Sequence, residues 1–387
     1  MNKLLSIINN KFLIAFSFFL FLLPPGIARL DFVVSHFYIV RILLVILIVL
    51  MLIKVAPIYI KEKKVSKMTI VGIAYCFVRF IATYTKTHDL ISSVITYSLP
   101  LVCVILIFVE THIKDNTLNF IEGLLMYSEF TIYVNALCLL IKPLGELFFS
   151  DSILIGDNNH LVYYLLAFTS SYIFYYLKKD KVSKYRMFIL WAVSTFFVLY
   201  SFSATAVVAT AAMYFALLLG TKTKIGNIIS YIIVYFAAFF GIVIYKVQYL
   251  FSFIIVDVLH KDVTLTDREY VWRDFMAGIK NYPILGHGYH DSYLYIPEQK
   301  KMLYAHNHIL QEIYNGGIIA YLVYCWFVIL PAIKLWKNRD SNISKVLSAI
   351  IFGIFFGSIT ESLSILIYIL IYALSYNVEI YINYIKN

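Results

Sequence analysis

In a chain that is 61% hydrophobic and only 14% charged, isolated ionisable side chains are the first candidates for chemistry. Arg268 begins a stretch in which Arg268, Trp272, Phe275 and Ile279 recur at helical spacing, while Arg273 and Lys280 fall off that stripe. Thr266-Asp267-Arg268-Glu269 has the form of a capping box, and Asn281-Tyr282-Pro283 ends the helix before the turn Gly286-His287-Gly288. Such a helix is expected to lie flat at a membrane interface with its apolar face down. A cation in the first turn opposes the helix dipole, so Arg268 calls for an anionic partner: a ligand, Asp267 or a lipid headgroup. Farther on, Tyr304-Ala305-His306-Asn307-His308 precedes an apolar run. No acidic or cysteine side chain stands near these histidines at ligand spacing, so no metal is expected. A neutral imidazole there suits removal of a proton from a hydroxyl; an interfacial histidine bonded to a carbonyl is the alternative reading.

Charges inside apolar runs cost several kcal/mol in lipid and mark function by default. Arg79 and Glu129 are deep in their runs and are expected to pair with each other or to meet substrate, whereas Glu122 and Glu361 can be interfacial. Tyr282, Tyr289, Tyr293, Tyr295 and Tyr304 crowd one stretch; their rings suit a sugar face or an interfacial belt.

These residues need elements to hold them, and hydropathy supplies the elements. Apolar runs of about spanning length occur at 12–28, 38–60, 68–84, 90–109, 117–141, 160–177, 187–202, 204–220, 227–245, 309–333, 346–360 and 363–383. The expected fold is all-α: a polytopic membrane protein of about twelve helices, with one large extracytoplasmic loop containing short interfacial helices. Its divisions are 1–245 with nine spans, 246–305 as the loop, and 306–387 with three spans. A loop of about 60 residues is too short to bury a good core alone, so it should lean on the membrane surface.

The formal charge of +10 does not point to nucleic acid, because the lysines collect between spans, as in Lys61-Glu62-Lys63-Lys64 and Lys178-Lys179-Asp180-Lys181. Only Arg29, Arg41, Lys86 and Lys142 fall in the opposite set of short loops and their span ends. The positive-inside rule then puts both termini in the cytoplasm and 246–305 outside, in an inner (plasma) membrane. Cys76, Cys103, Cys138 and Cys325 lie in spans, and no disulfide is expected.

Arg268-x3-Trp272-x6-Ile279-x3-Pro283-x2-Gly286-x-Gly288, then Ala305-His306-Asn307 and Gly316-Gly317, resembles the O-antigen ligase and polymerase superfamily. The resemblance covers roughly 265–330 and the general layout. It implies an inverting, metal-independent glycosyltransferase of the membrane-embedded (GT-C-like) class, with no cofactor. Donor and acceptor would be glycans on undecaprenyl pyrophosphate, with a chain-length regulator as a conceivable partner. By the same resemblance Arg268 meets the pyrophosphate, His306 deprotonates or orients the acceptor hydroxyl, and Asn307 shapes the turn. Arg79, Asn307, Glu129, Arg273, Tyr289 and Tyr304 are the substrate-binding candidates. The family often carries an arginine after a serine at the outer end of the span before the second helix of the hairpin. Here that stretch reads Ser201-Phe202-Ser203-Ala204: either Arg79 or another outer cation such as Arg41 replaces it, or the pyrophosphate is met differently in this protein. A repeat-unit polymerase (the Wzy type) is the favoured reading, ahead of a ligase onto lipid A–core and of a lipid-linked glycan flippase. Transporters tend to internal repeats, and none is visible.

Overall fold

The computed structural model describes residues 10–28, 65–90, 93, 99–141, 154–155, 161–178, 181–200, 203–253, 256–257, 262, 264, 267–362 and 365–386. Arg41, Thr266 and the expected second span lie outside the described residues.

The longer α-helices among the described residues are α1 (Lys11–Phe21), α2 (Lys67–Thr87), α3 (Leu99–Asp115), α4 (Thr117–Leu140), α5 (Leu161–Lys178), α6 (Lys181–Tyr200), α7 (Ala204–Lys222), α8 (Ile228–Phe239), α9 (Arg268–Asn281), α10 (His308–Lys337), α11 (Asn342–Thr360), α12 (Ile365–Tyr376) and α13 (Val378–Lys386). Five of them are long and apolar enough to cross a membrane, and a sixth span arises if α12 and α13, bent by 41° at their junction, are taken together. α1 and the 228–244 segment are shorter apolar helices. The all-α expectation misses one feature: the long loop contains a small antiparallel hairpin, β1 (Leu294–Ile296) against β2 (Lys301–Leu303).

The outward faces keep large apolar side chains such as Phe77, Phe188, Phe215, Leu322 and Trp326 exposed, as a lipid solvent requires. α11 forms the centre and is buried almost all round. Its closest neighbour is α7, which turns Ala206, Ala209, Met213 and Ala216 inward. A Cβ on Gly353 would meet Met213 at 3.1 Å and the Ala209 carbonyl at 3.2 Å, so small residues set this approach, as they do between helices in lipid.

α10 is two helices joined at a break. Gly317 has φ +66° and ψ −173°, leaving one segment before it and a longer one after it. The loop supplies the hydrogen bonds that the break removes. His287 and Gly288 N–H donate to the Tyr314 and Asn315 carbonyls at 2.8 Å, and Ile318 N–H donates to the Pro283 carbonyl at 2.9 Å. The fit leaves no room: a Cβ on Gly317 would lie 2.0 Å from the Ile284 carbonyl oxygen, and one on Gly286 2.5 Å from the Asn315 backbone. The glycines of the loop and those of the helix thus form one joint, which threads 283–288 into α10.

α9 departs from the expected interfacial helix. Val271, Trp272 and Phe275 are buried by the protein's own helices, with Phe275 4.7 Å from the Tyr314 ring of α10. The reason is the joint, which ties the end of α9 to α10 and turns its apolar stripe onto protein rather than lipid. The capping box is also corrected. Asp267, with φ +62°, is the N-cap and makes no side-chain cap bond; the Glu269 carboxylate instead takes hydrogen bonds from Lys246 and Tyr249.

Candidate functional site

Arg268, at the start of α9 within the loop, and His306, directly after the loop, meet at a third residue, Glu361. α11 ends at Thr360, and Glu361 follows in extended conformation with a carboxylate only 3% exposed. Its Oε2 lies 3.5 Å from Arg268 Nη2 and its Oε1 3.4 Å from His306 Nδ1. The His306 contact is long and not aligned as a hydrogen bond, since this buried nitrogen has no well-formed partner. It is close enough to feel the carboxylate's charge. Arg268 Nη1 also reaches Thr205 Oγ1 at 3.4 Å, and Thr205 bonds Thr360 at 2.9 Å. The guanidinium is therefore held between the first turn of α7 and the end of α11.

Burial pushes the Glu361 carboxyl up, but His306, Tyr304 and Arg268 outweigh burial and hold it below the usual carboxylate range. Burial depresses the Arg268 guanidinium, with Glu361 acting against that effect; an arginine stays charged regardless.

The histidine is placed by backbone strain and by its neighbours. His306 adopts φ +45°, a left-handed conformation that costs a non-glycine residue about 1–3 kcal/mol unless the surroundings impose it. They do impose it. Asn307 Oδ1 caps α10 at Leu310 N–H (2.9 Å), and its Nδ2 donates to the Ile359 carbonyl (2.8 Å). Gln311 Oε1 accepts from Ala305 N–H (2.7 Å), while its Nε2 donates to the Ser292 carbonyl (2.9 Å). The Tyr304 ring lies 4.0 Å from the His306 ring, and Tyr293 continues the aromatic row outward at 6.2 Å. With Nδ1 facing Glu361, Nε2 is the nitrogen left to accept a proton.

A second buried cluster braces the first. Tyr75 and Tyr289 hydroxyls both donate to Glu312 Oε2, at 2.7 and 2.8 Å. Arg79 Nη1 donates to the Tyr75 hydroxyl at 3.3 Å, and its guanidinium stacks 3.8 Å from the centre of the Tyr289 ring. Tyr289 N–H donates to Thr83 at 3.2 Å. The loop is thereby fastened to α2 as well as to α10.

Of the residues singled out from sequence, Arg268, His306 and Tyr304 converge, and Asn307 adjoins them with its polar atoms engaged in the turn. Arg79 and Tyr289 belong together in the second cluster. Arg273 does not join either group: it is half exposed on the outer side of α9 and pairs with Asp274 at 2.8 Å and Glu298 at 2.5 Å. The expected Arg79–Glu129 pair does not form. Glu129 is held by Arg186 through two 2.5 Å hydrogen bonds, near the start of α6 and about 25 Å along that helix from the α7 end that holds Arg268. Glu122 likewise pairs with Lys11 at 2.6 Å. Physical proximity explains the different partners: α4 packs on α1, α5 and α6, whereas α2 packs on α10.

Glu361, Thr205, Tyr75 and Glu312 are the residues that sequence reasoning did not place at the site. Glu361 carried a signal, a carboxylate between the last two apolar runs, but an interfacial glutamate looks the same in sequence. Among the described residues, no three His, Cys, Asp or Glu side chains converge as a metal site.

Residues 187–325 match the family whose description is O-antigen ligase, from α6 through the break in α10. No curated protein and no solved structure matches the chain.

Proposed function

We propose that this chain, whose residues 187–325 match the family described as O-antigen ligase, is a membrane glycosyltransferase and, more closely, a polysaccharide repeat-unit polymerase. It would transfer a glycan from undecaprenyl pyrophosphate to a second lipid-linked repeat unit. The observation that supports this most is the meeting of Arg268 and His306 on one buried carboxylate at the end of α11.

In this reading the donor's pyrophosphate sits against Arg268 and the first turn of α7, where a guanidinium and a helix N-terminus both favour anions. Charge developing on the leaving pyrophosphate is met by a cation already fixed there. His306 takes the acceptor's proton through Nε2, and inversion follows from direct attack on the anomeric carbon. Tyr304 and Tyr293 offer ring faces to the incoming sugar. Arg79 and Tyr289 are supporting residues, since their polar groups and rings are used on each other.

The charge bias between spans supports a site on the extracytoplasmic face of an inner (plasma) membrane, with both termini cytoplasmic and about twelve spans in all. The family's description favours a second reading, a ligase that attaches the glycan to lipid A–core. Complementation of a deletion strain separates the two. A polymerase restores a ladder of repeats on a gel; a ligase restores attachment of glycans of every length. Restoration of neither would overturn both.

A further inference from the structure

We propose that Glu361 is a positioning residue for the transfer: it holds His306 with Nε2 free and balances the imidazolium that forms there. The inference rests on the glycosyl-transfer reading above and deepens it at a residue outside the family-matched segment 187–325.

Three features of the carboxylate lead to this role. It is almost wholly buried, and its two oxygens are flanked by Arg268 at 3.5 Å and His306 at 3.4 Å. Its placement is also rigid. α11 stops at Thr360, Ser362 N–H donates to Glu361 Oε1 at 3.2 Å, and Asn307 ties the adjacent Ile359 carbonyl to the His306 turn. Carboxylate and imidazole are thus anchored to each other through the backbone. Finally, the charges add correctly only when the histidine is included. At rest Arg268 and Glu361 cancel. When Arg268 turns its charge to a pyrophosphate, Glu361 is left needing a cation, and proton transfer to His306 supplies one.

The step balances. The acceptor oxygen bonds to the anomeric carbon as the bond from that carbon to the pyrophosphate oxygen breaks, and the bonding pair leaves with the pyrophosphate. The hydroxyl proton moves to His306 Nε2. The imidazolium, facing Glu361 through Nδ1, later returns the proton to water. Tyr304, Arg268 and Tyr368 are other titratable or charged groups within electrostatic reach of the carboxylate.

The test uses the full-length protein in detergent or vesicles, with undecaprenyl-pyrophosphate-linked repeat unit extracted from the source cells as donor and acceptor. Glu361→Gln is expected to lower kcat about 100-fold, with KM for the lipid-linked unit changed less than about threefold. Glu361→Asp keeps the charge but withdraws it by one methylene, and is expected to recover part of the rate. In a His306→Gln background, the loss caused by Glu361→Gln should shrink to less than about threefold, because the carboxylate acts through the histidine. Equal losses in both backgrounds, or a Glu361→Gln enzyme with normal kcat, would overturn the proposal. Should Glu361→Gln not fold, a fully active Glu361→Asp enzyme would overturn it, and a partial loss of kcat at unchanged KM would support it. Wild-type protein that transfers glycan neither to a second unit nor to lipid A–core would sink the underlying reading instead.

Discussion

At the scale of single residues, two side chains carry the proposed reaction and one carboxylate joins them. His306→Ala and Arg268→Lys are each expected to abolish chain extension while leaving the amount of protein in membranes unchanged, read as ladder length beside an immunoblot. Arg268→Lys is a demanding test, since it keeps the charge and removes only the fork that reaches Thr205 and Glu361 together. A normal ladder from either variant would remove that residue from the mechanism. Glu129 belongs to a different class. Its partner Arg186 sits in the bundle, so Glu129→Gln should lower thermal stability and leave KM for the lipid-linked unit unchanged. Glu129 was visible in the sequence as a charge within an apolar run and Glu361 as one between two runs, but a carboxylate at an active site and one in a structural pair look alike until the neighbouring helices are known.

At the scale of elements, the joint between 283–288 and the break in α10 decides whether the loop holds its shape. Gly317→Ala combines a left-handed φ with a 2.0 Å clash against backbone. It is expected to lower the melting temperature of purified protein by several degrees and to suppress activity, a loss of a few kcal/mol. Gly220→Ala is the matched control, because its nearest neighbours lie at 3.4 Å or beyond and little change is expected. The tether of α9 is acid-sensitive. Burial raises the Glu269 carboxyl, but Lys246 and Tyr249 outweigh it and bring it below the usual range. A depressed carboxylate stabilises the fold above its unfolded pKa and loses that contribution as pH falls through the folded value. Proteolysis of the loop should therefore accelerate below about pH 4 and be insensitive to pH just above neutrality. Proteolysis unchanged across the acid range would show that the tether contributes nothing.

At the scale of the whole molecule, the prediction concerns sides. Reporter fusions at Asp180 and Tyr293 are expected to read opposite faces of the membrane, with Tyr293 outside. The same face for both would overturn the topology and, with it, the supply of lipid-linked donor to the site. Centrally, α11 packs on α7 through small residues and delivers Glu361 at its end, so the core helix also positions the site. Larger side chains on α7, such as Ala209→Leu, should therefore reduce activity along with stability.

Much of the architecture was legible in sequence because the physics behind it is local. Apolar runs long enough for a bilayer, lysines between them, a helix stopped by Asn281-Tyr282-Pro283 and glycines grouped near 286 and 316 all depend on neighbours along the chain. Partnership between distant residues does not. Arg79 found Tyr75, Tyr289 and Glu312 rather than Glu129, and α9 turned its apolar face to α10 rather than to lipid. Glu361, some 55 residues beyond His306, was indistinguishable from an interfacial charge. Apolar patterning tells a helix which face to bury but not against what. Only helix packing brought the end of α11 to the start of α9 and to the residue that follows the loop, and so turned an arginine, a glutamate and a histidine into a single site.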